Sequence, residues 1–173
     1  MRSNGEEISQ SVGKVSISTQ SAQETREFGE QLGRLLHGGD VIALQGDLGA
    51  GKTTFTQGLA RGLGVDAFVR SPTFTLVNEY DLPDNGVLFH IDGYRLGETM
   101  TEAIVEADTF GMEQMLEDDE SIAVIEWADR IADLLPSDYL DVQLAYVEQT
   151  ETGRTLILCA HGPRGREILR GIE

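Results

Sequence analysis

Residues 46–53 have the types and spacing of a phosphate-binding loop. Their sequence, Gly-Asp-Leu-Gly-Ala-Gly-Lys-Thr, matches the P-loop pattern and directly follows an apolar segment at 41–44. The glycines of such a loop let successive backbone N–H groups point at phosphate oxygens, and the start of the next helix adds positive potential. The sequence therefore predicts that the chain binds a nucleoside triphosphate.

The last residues of this motif have separate predicted roles. Lys52 is expected to contact the β- and γ-phosphates, and the Thr53 hydroxyl is expected to bind Mg²⁺. The chain has only two lysines, Lys14 and Lys52, and one stands where the motif requires it. A glycine-rich turn with a solvated lysine is the alternative, which the flanking strand and helix patterns disfavour. The predicted nucleotide-binding residues of the loop are Gly46, Asp47, Leu48, Gly49, Ala50, Gly51, Lys52, Thr53 and Thr54.

A carboxylate ends the apolar segment at 121–126, Ser-Ile-Ala-Val-Ile-Glu. P-loop proteins use an acid in this position to hold Mg²⁺, directly or through water, or to orient the attacking water. Many strands end in Glu, so the signal is weak alone, but beside a P-loop it favours a metal role for Glu126. The only tryptophan, Trp127, follows, and we expect it to pack nearby and to report nucleotide binding.

Two shorter segments add polar side chains. His90 and Asp92 lie two residues apart at the end of a predicted strand and therefore on one face of it. They could contact Mg²⁺-bound water or relay a proton, and a turn-capping Asp explains the spacing equally well. Thr73 lies in a hydroxyl-rich loop at 71–74, where switch loops of nucleotide hydrolases occur, although a plain turn also fits.

The periodicity of the remaining sequence predicts the elements that hold these residues. Residues 1–12 are predicted to be a disordered tail, and 13–173 a single domain. Alternating strands and helices followed by hairpins predict an α/β, P-loop NTPase-like sandwich with a mixed central sheet flanked by helices. The predicted strands are 14–19, 41–45, 75–80, 87–91, 121–126, 139–147 and 154–160. The predicted helices are 21–36, 53–63, two within 98–117, whose Met100, Ile104, Met112, Met115 and Leu116 should face inward, and 128–135.

Charge and composition restrict the function classes. The 173 residues contain 13 Lys plus Arg against 30 Asp plus Glu, which gives a net charge of −17. This charge opposes autonomous binding of nucleic acid, because the phosphate backbone is itself negative. A single cysteine excludes an intramolecular disulfide, and no segment has the pattern of a signal peptide or a membrane span. The sequence thus predicts a cytoplasmic protein with no membrane partner.

Four segments together resemble the TsaE family in type, order and spacing. They are Gly-Asp-Leu-Gly-Ala-Gly-Lys-Thr-Thr-Phe at 46–55, Ser-Pro-Thr-Phe at 71–74, His-Ile-Asp-Gly-Tyr-Arg at 90–95 and Ile-Glu-Trp at 125–127. The family is the bacterial ATPase that supports formation of threonylcarbamoyladenosine on tRNA. The resemblance extends from about Ser18 through Asp133 and more loosely to the C-terminal strands. Gly93 departs from it, since the family commonly has Leu there.

The resemblance implies a P-loop ATPase of low intrinsic activity that depends on ATP and Mg²⁺. Family members associate with the TsaD–TsaB heterodimer, which modifies adenosine 37 of tRNAs that read codons beginning with A, so tRNA would be reached only through that complex. It implies that Thr53 and Glu126 hold Mg²⁺ and that Asp92, with Thr73, serves hydrolysis and nucleotide sensing. It also implies a base contact around Thr19 to Ala22, for which Ala22 is the candidate.

Three other functions are alternatives to an ATPase. A small-molecule kinase usually has an Arg-rich lid, yet 98–120 contains neither Arg nor Lys. A regulatory GTPase usually has an Asn/Thr-Lys-x-Asp segment, and neither lysine has that setting. A non-hydrolysing, nucleotide-gated binding module stays open, because the residues that bind a nucleotide do not by themselves establish turnover.

Overall fold

An eight-stranded mixed sheet forms the centre of the protein. The structure is a computed structural model, and it describes residues 9–11 and 13–172. The strand order is β1-β2-β8-β7-β3-β6-β5-β4, with parallel pairs between β3 and β6, β3 and β7, and β5 and β6. The strands are β1 Ser9–Ser11, β2 Lys14–Thr19, β3 Val41–Gln45, β4 Val77–Asp81, β5 Val87–Asp92, β6 Ile122–Glu126, β7 Tyr139–Tyr146 and β8 Arg154–His161.

Helices cover both faces of this sheet. The α-helices are α1 Ala22–Gly33, α2 Lys52–Gly62, α3 Met100–Thr109, α4 Met112–Glu117 and α5 Gly162–Ile172, and 3-10 helices occupy Gly93–Arg95 and Ala128–Leu134. β3 shows how the two layers form, because its side chains alternate between them. Ile42 and Leu44 pack in one core with α1, α2 and α5, whereas Val41 and Ala43 pack in the other with α3, α4 and the second 3-10 helix.

Glycines set the distance between α1 and α2. Each helix has two glycines four residues apart, so they lie on one face. A Cβ on Gly29 would contact Phe55 O, and a Cβ on Gly33 would contact Leu59 O. The backbones of α1 and α2 therefore approach more closely than any larger residue would allow.

The predicted α/β sandwich with a mixed central sheet is confirmed, and several details differ. β4 begins at Val77 and not at residue 75, because 73–75 form a turn and Leu76 has a left-handed backbone with φ of 65°. The segment 128–134 forms a 3-10 helix. The helix α5 was not predicted. Among the residues predicted to face inward, Met112 is buried, while Ile104 is 44% exposed.

The predicted N-terminal tail is only partly covered by the structure. Ser9–Ser11 pairs antiparallel with β2, which corrects the prediction for these three residues: a strand pairing supplies their backbone hydrogen bonds. Residues 1–8 and 12 lie outside the described residues. Within the described ranges, no helix is long and apolar enough to cross a membrane.

Candidate nucleotide site

The P-loop connects β3 to α2 through three glycines with left-handed backbone conformations. The φ angles are 141° at Gly46, 78° at Gly49 and 106° at Gly51. Residues with a side chain rarely adopt these values. A Cβ on Gly46 would contact Leu144 O, and one on Gly49 would lie 2.6 Å from Tyr146 Oη. Backbone conformation therefore favours glycine at all three positions, and at Gly46 the close approach of Leu144 O excludes a side chain as well.

Lys52 folds back over the loop at the start of α2. Its ammonium donates to Gly46 O at 2.6 Å and to Asp47 O at 3.0 Å, and it lies 3.9 Å from the centre of the Trp127 ring. The residue is 5% exposed. Desolvation lowers the pKa of Lys52 below its usual 10.5, although nearby carboxylates, first among them Glu126, act in the opposite direction. Lys52 is thus a buried cation held by neutral acceptors.

Glu126, at the end of β6, is fixed from two sides. Thr53 Oγ1 donates to its Oε1 at 2.9 Å, and His90 Nε2 lies 2.8 Å from the same oxygen. Glu126 is 4% exposed and His90 fully buried. Three elements, α2, β5 and β6, therefore converge on one carboxylate oxygen, and the predicted binding of Mg²⁺ by Thr53 and Glu126 stays a prediction.

Asp92 lies beside Glu126, since the two are register partners in the parallel pair of β5 and β6. Its Oδ1 accepts a hydrogen bond from Tyr94 N at 2.9 Å. Its Oδ2 is buried and, among the described residues, has no hydrogen-bond partner; the same holds for His90 Nδ1. Most buried polar atoms in proteins are hydrogen-bonded, so a lone carboxylate oxygen at a strand end marks a place where water or a ligand group binds.

The oxygen donors at these strand ends fit Mg²⁺. The ion prefers hydroxyl, carboxylate, phosphate and water oxygens, and it is often bound by only one or two protein groups together with substrate phosphates. Thr53 and Glu126 provide such a pair, and Asp92 a third oxygen nearby. Over the described residues, no group of three or more His, Cys, Asp and Glu could hold a metal ion by itself.

Gly93 lets the segment after β5 pack against the end of β6. A Cβ there would lie 2.7 Å from Trp127 O and 3.1 Å from Glu126 O. Trp127 has a left-handed backbone with φ of 57°, and its ring centre lies 5.1 Å from that of Tyr94. A leucine at this position would require the two strand ends to separate, so the departure from the family pattern has a local packing reason.

Two residues that the sequence did not indicate hold the outer side of the P-loop. Arg154 Nε donates to Ala50 O at 3.0 Å and its Nη2 to Gly49 O at 3.2 Å, while Tyr146 Oη donates to Leu48 O at 2.8 Å. The Arg154 guanidinium also lies 4.4 Å from the Tyr146 ring centre. These bonds occupy the carbonyls of Leu48, Gly49 and Ala50 and so hold the loop from its outer side.

The structure brings Ala22 into the site but does not join Thr73 to it. Ala22 lines a cavity of about 120 Å³ together with Gly49, Gly51 and Thr54. Thr73 Oγ1 lies 2.7 Å from Ser71 Oγ, and in the described part of the chain it has no hydrogen bond to Asp92 or Glu126. The base contact of Ala22 and the sensing role of Thr73 stay predictions.

Comparison with known protein families shows which family contains a chain with this site. The family described as "Threonylcarbamoyl adenosine biosynthesis protein TsaE" matches residues 19–156, a span that includes the P-loop, Asp92, Glu126 and both residues behind the loop. The chain belongs to the TsaE family. The resemblance predicted from the four sequence motifs is thereby confirmed.

Individual TsaE relatives agree with this assignment. The tRNA threonylcarbamoyladenosine biosynthesis protein TsaE of Bacillus subtilis is 37% identical over 126 residues, which cover 72% of this chain and 73% of that protein. The TsaE of Treponema pallidum is 39% identical over 128 residues, 73% of this chain and 87% of its own. The crystal structure of Bacillus subtilis YdiB superposes with a TM-score of 0.70 at 29% identity, covering 95% of this chain and 97% of YdiB.

Proposed function

We propose that this TsaE-family chain binds Mg²⁺-ATP in the P-loop and hydrolyses it in support of tRNA threonylcarbamoyladenosine formation. The observation that best supports this is the hydrogen bond of Thr53 to Glu126 at 2.9 Å, formed beside the buried Lys52. It places a hydroxyl, a carboxylate and an ammonium together at the start of a helix. That combination suits a triphosphate and its magnesium ion.

Each residue of the site has its own role in the proposed reaction. The loop N–H groups bind the phosphates, and Lys52 exchanges the carbonyls of Gly46 and Asp47 for the β- and γ-phosphates. Thr53 and Glu126 would hold Mg²⁺, which would supply positive charge beside the transferred phosphoryl group. Asp92 Oδ2, buried and unpaired among the described residues, orients the attacking water and accepts its proton.

The proposed pathway role follows from the names and the charge. The relatives are named for tRNA threonylcarbamoyladenosine biosynthesis. A net charge of −17 disfavours direct capture of tRNA, so we place this chain with a partner complex that binds the tRNA, the cytoplasmic TsaD–TsaB heterodimer that modifies adenosine 37. Hydrolysis would be slow alone and stimulated by that complex.

The deciding experiment measures Mg²⁺-ATP hydrolysis by the purified chain with and without TsaD–TsaB. We expect stimulation by the complex, and its loss in Lys52→Ala. Tight ATP binding without hydrolysis under either condition would contradict the proposal and favour a nucleotide-gated binding module. Phosphorylation of a metabolite, with no stimulation by the complex, would favour a kinase.

Separate variants divide binding from turnover. Asp92→Asn should lower the stimulated rate by about 10²-fold or more while changing the Kd for ATP by less than about threefold, because Asp92 is assigned to water and not to phosphate. Asp81→Asn, an exposed acid at the end of β4, is the matched control and should leave both quantities unchanged. If Asp92→Asn lowered the affinity for ATP and the stimulated rate of hydrolysis equally, Asp92 would not have the proposed role.

A further inference from the structure

A groove of about 480 Å³ lies between α3, α4 and the last residues of the second 3-10 helix together with Pro136. Its floor is apolar and includes Ile104, Val105, Met112, Leu116 and Leu134. Val105 is 63% exposed and Ile104 44% exposed. Contiguous apolar side chains left in water mark interaction surfaces more often than single exposed ones do.

The packing of α3 explains why these side chains remain outside. Within α3, only the small residues Ala103 and Ala107 are buried, in the core that also contains Met112 and Ile131. The larger residues of α3, Ile104 and Val105, therefore point away from the core that Ala103 and Ala107 reach. A helix that faces its core with alanine and faces water with isoleucine and valine is suited to contact a second apolar surface.

Acidic side chains surround the groove. Asp108, Glu113, Glu117 and Asp133 line it and are exposed. None of the four takes part in an ion pair with a described residue. The sequence from 96 to 129 contains no Lys or Arg. Nucleic acid and anionic membranes would be repelled here, whereas a basic protein segment would be attracted.

We propose that this groove docks an amphipathic segment of a partner protein, in which Lys or Arg residues flank an apolar stripe. The apolar stripe covers Ile104, Val105 and Leu116, and the basic residues meet the four carboxylates. This is the helix-in-groove mode of recognition, with complementary charge at the rim. A second copy of this chain is a poor occupant, since its own net charge is −17.

The docking surface is separate from the nucleotide site. None of the residues that line the groove belongs to the P-loop or to the strand ends that hold Asp92 and Glu126. The docking proposal therefore does not depend on ATP hydrolysis, and either proposal can be wrong while the other holds. Asp133 and Leu134 in the wall of the groove nevertheless belong to the 3-10 helix Ala128–Leu134, which begins one residue after Trp127.

The test uses the full chain and a fluorescein-labelled helical peptide of Leu and Lys in amphipathic spacing, with binding followed by fluorescence anisotropy. Val105→Asp should weaken binding at least about tenfold, even though it adds a negative charge. Gln114→Asp is the matched control, because it adds the same charge on α4 outside the groove lining. Tighter binding by both variants would mean attraction by total charge alone and would overturn the proposal.

Charge reversal tests the rim. Glu113→Lys with Glu117→Lys should weaken the peptide complex by about tenfold more than Glu27→Lys with Glu148→Lys, which makes the same charge change at exposed sites elsewhere. Equal losses would overturn the proposal. ATP affinity and circular dichroism of each variant verify that the fold is intact. Sedimentation of the chain alone tests whether a second copy occupies the groove. A dimer that Val105→Asp dissociates would show that it does, and would also overturn the proposal.

Discussion

Lys52 is a buried ammonium whose two hydrogen-bond acceptors are backbone carbonyls. Desolvation lowers its pKa, and a bound triphosphate would raise it again, because negative charge favours the protonated form. Only the protonated lysine pairs with phosphate. We therefore expect the affinity for ATP to fall as pH rises through the lowered pKa of the free protein, and to be independent of this group at lower pH.

Isothermal titration calorimetry can measure this linkage. On the alkaline side, ATP binding should take up protons, which appears as a binding enthalpy that varies with the ionisation enthalpy of the buffer. Lys52→Arg is the control, since a guanidinium stays charged over this range. Proton release, or an equally steep alkaline loss in Lys52→Arg, would contradict the assignment.

Residues of the site differ in how far the sequence could predict them. The P-loop, Glu126 and Asp92 could be found because each belongs to a short local pattern at a strand end. Arg154 and Tyr146 could not, because they act across 105 and 98 residues of sequence on Gly49 and Leu48. No local pattern encodes a contact that depends on which strands become neighbours.

Arg154 holds the P-loop in one conformation through hydrogen bonds to two of its carbonyls. Arg154→Met would remove its bonds to Gly49 O and Ala50 O while keeping much of its apolar stem. We expect ATP to bind about threefold to tenfold more weakly, because two hydrogen bonds that hold the loop are lost. Arg166→Met, an exposed change of the same type on α5, is the control. Unchanged ATP affinity would show that the loop is ordered without Arg154.

The contact of α1 with α2 yields a stability prediction whose sign goes against helix propensity. Gly58→Ala alone would favour an exposed helix by about 1 kcal/mol. Here the new Cβ would contact Arg26 O and lie 3.0 Å from Glu30 N, so the helices must separate. We expect a net loss of about 1–3 kcal/mol in the free energy of unfolding, measured with urea.

An exposed helical position supplies the comparison. Gln114→Ala in α4 should change stability by less than about 0.5 kcal/mol. If Gly58→Ala proved more stable than the parent, the close approach of α1 and α2 would not limit this position.

Elements with local signals were the ones that the sequence predicted well. The hairpin of β4 and β5 follows from the Pro and Asn-Gly turn residues between them, and the start of α1 from Ser21, whose Oγ accepts from Glu24 N at 3.1 Å. The first turn of helix α5 is capped instead by a residue that is distant in the sequence. Asp138 accepts hydrogen bonds from Arg164 N and Gly165 N, each at 3.0 Å, so the side chain that caps this helix comes from 26 residues before Arg164 in the sequence.

At the scale of the whole molecule, the sequence predicts the fold class but not the strand order. Apolar segments predict buried strands, yet β3, β5 and β6 are similar in that respect, and their order depends on how the connecting helices pack. The order matters for the site, because placing β5 beside β6 is what aligns Asp92 with Glu126. The arrangement of carboxylates at the candidate site is therefore a property of the assembled sheet.

An ion pair joins the C-terminal helix α5 to Asp40, the buried residue that precedes β3. Arg164 Nε and Nη2 donate to the two oxygens of Asp40, each at 2.8 Å, and Nη2 also donates to Leu35 O. The Asp40 side chain is only 2% exposed, so Arg164→Met would leave a buried carboxylate without its cation. We expect this variant to lose about 3 kcal/mol of stability.

A double-mutant cycle separates the ion pair from the packing of α5. Asp40→Asn together with Arg164→Met removes both charges, so it should be more stable than Arg164→Met alone by about 1–2 kcal/mol, or about 2–8 °C in Tm. Additive losses would mean that the two side chains do not interact energetically. ATP affinity should be nearly constant through the cycle, because the pair lies at the N-terminal end of β3 and the P-loop at the C-terminal end. Recovery of stability without any change in ATP binding would show that α5 stabilises the sheet and takes no part in the nucleotide site.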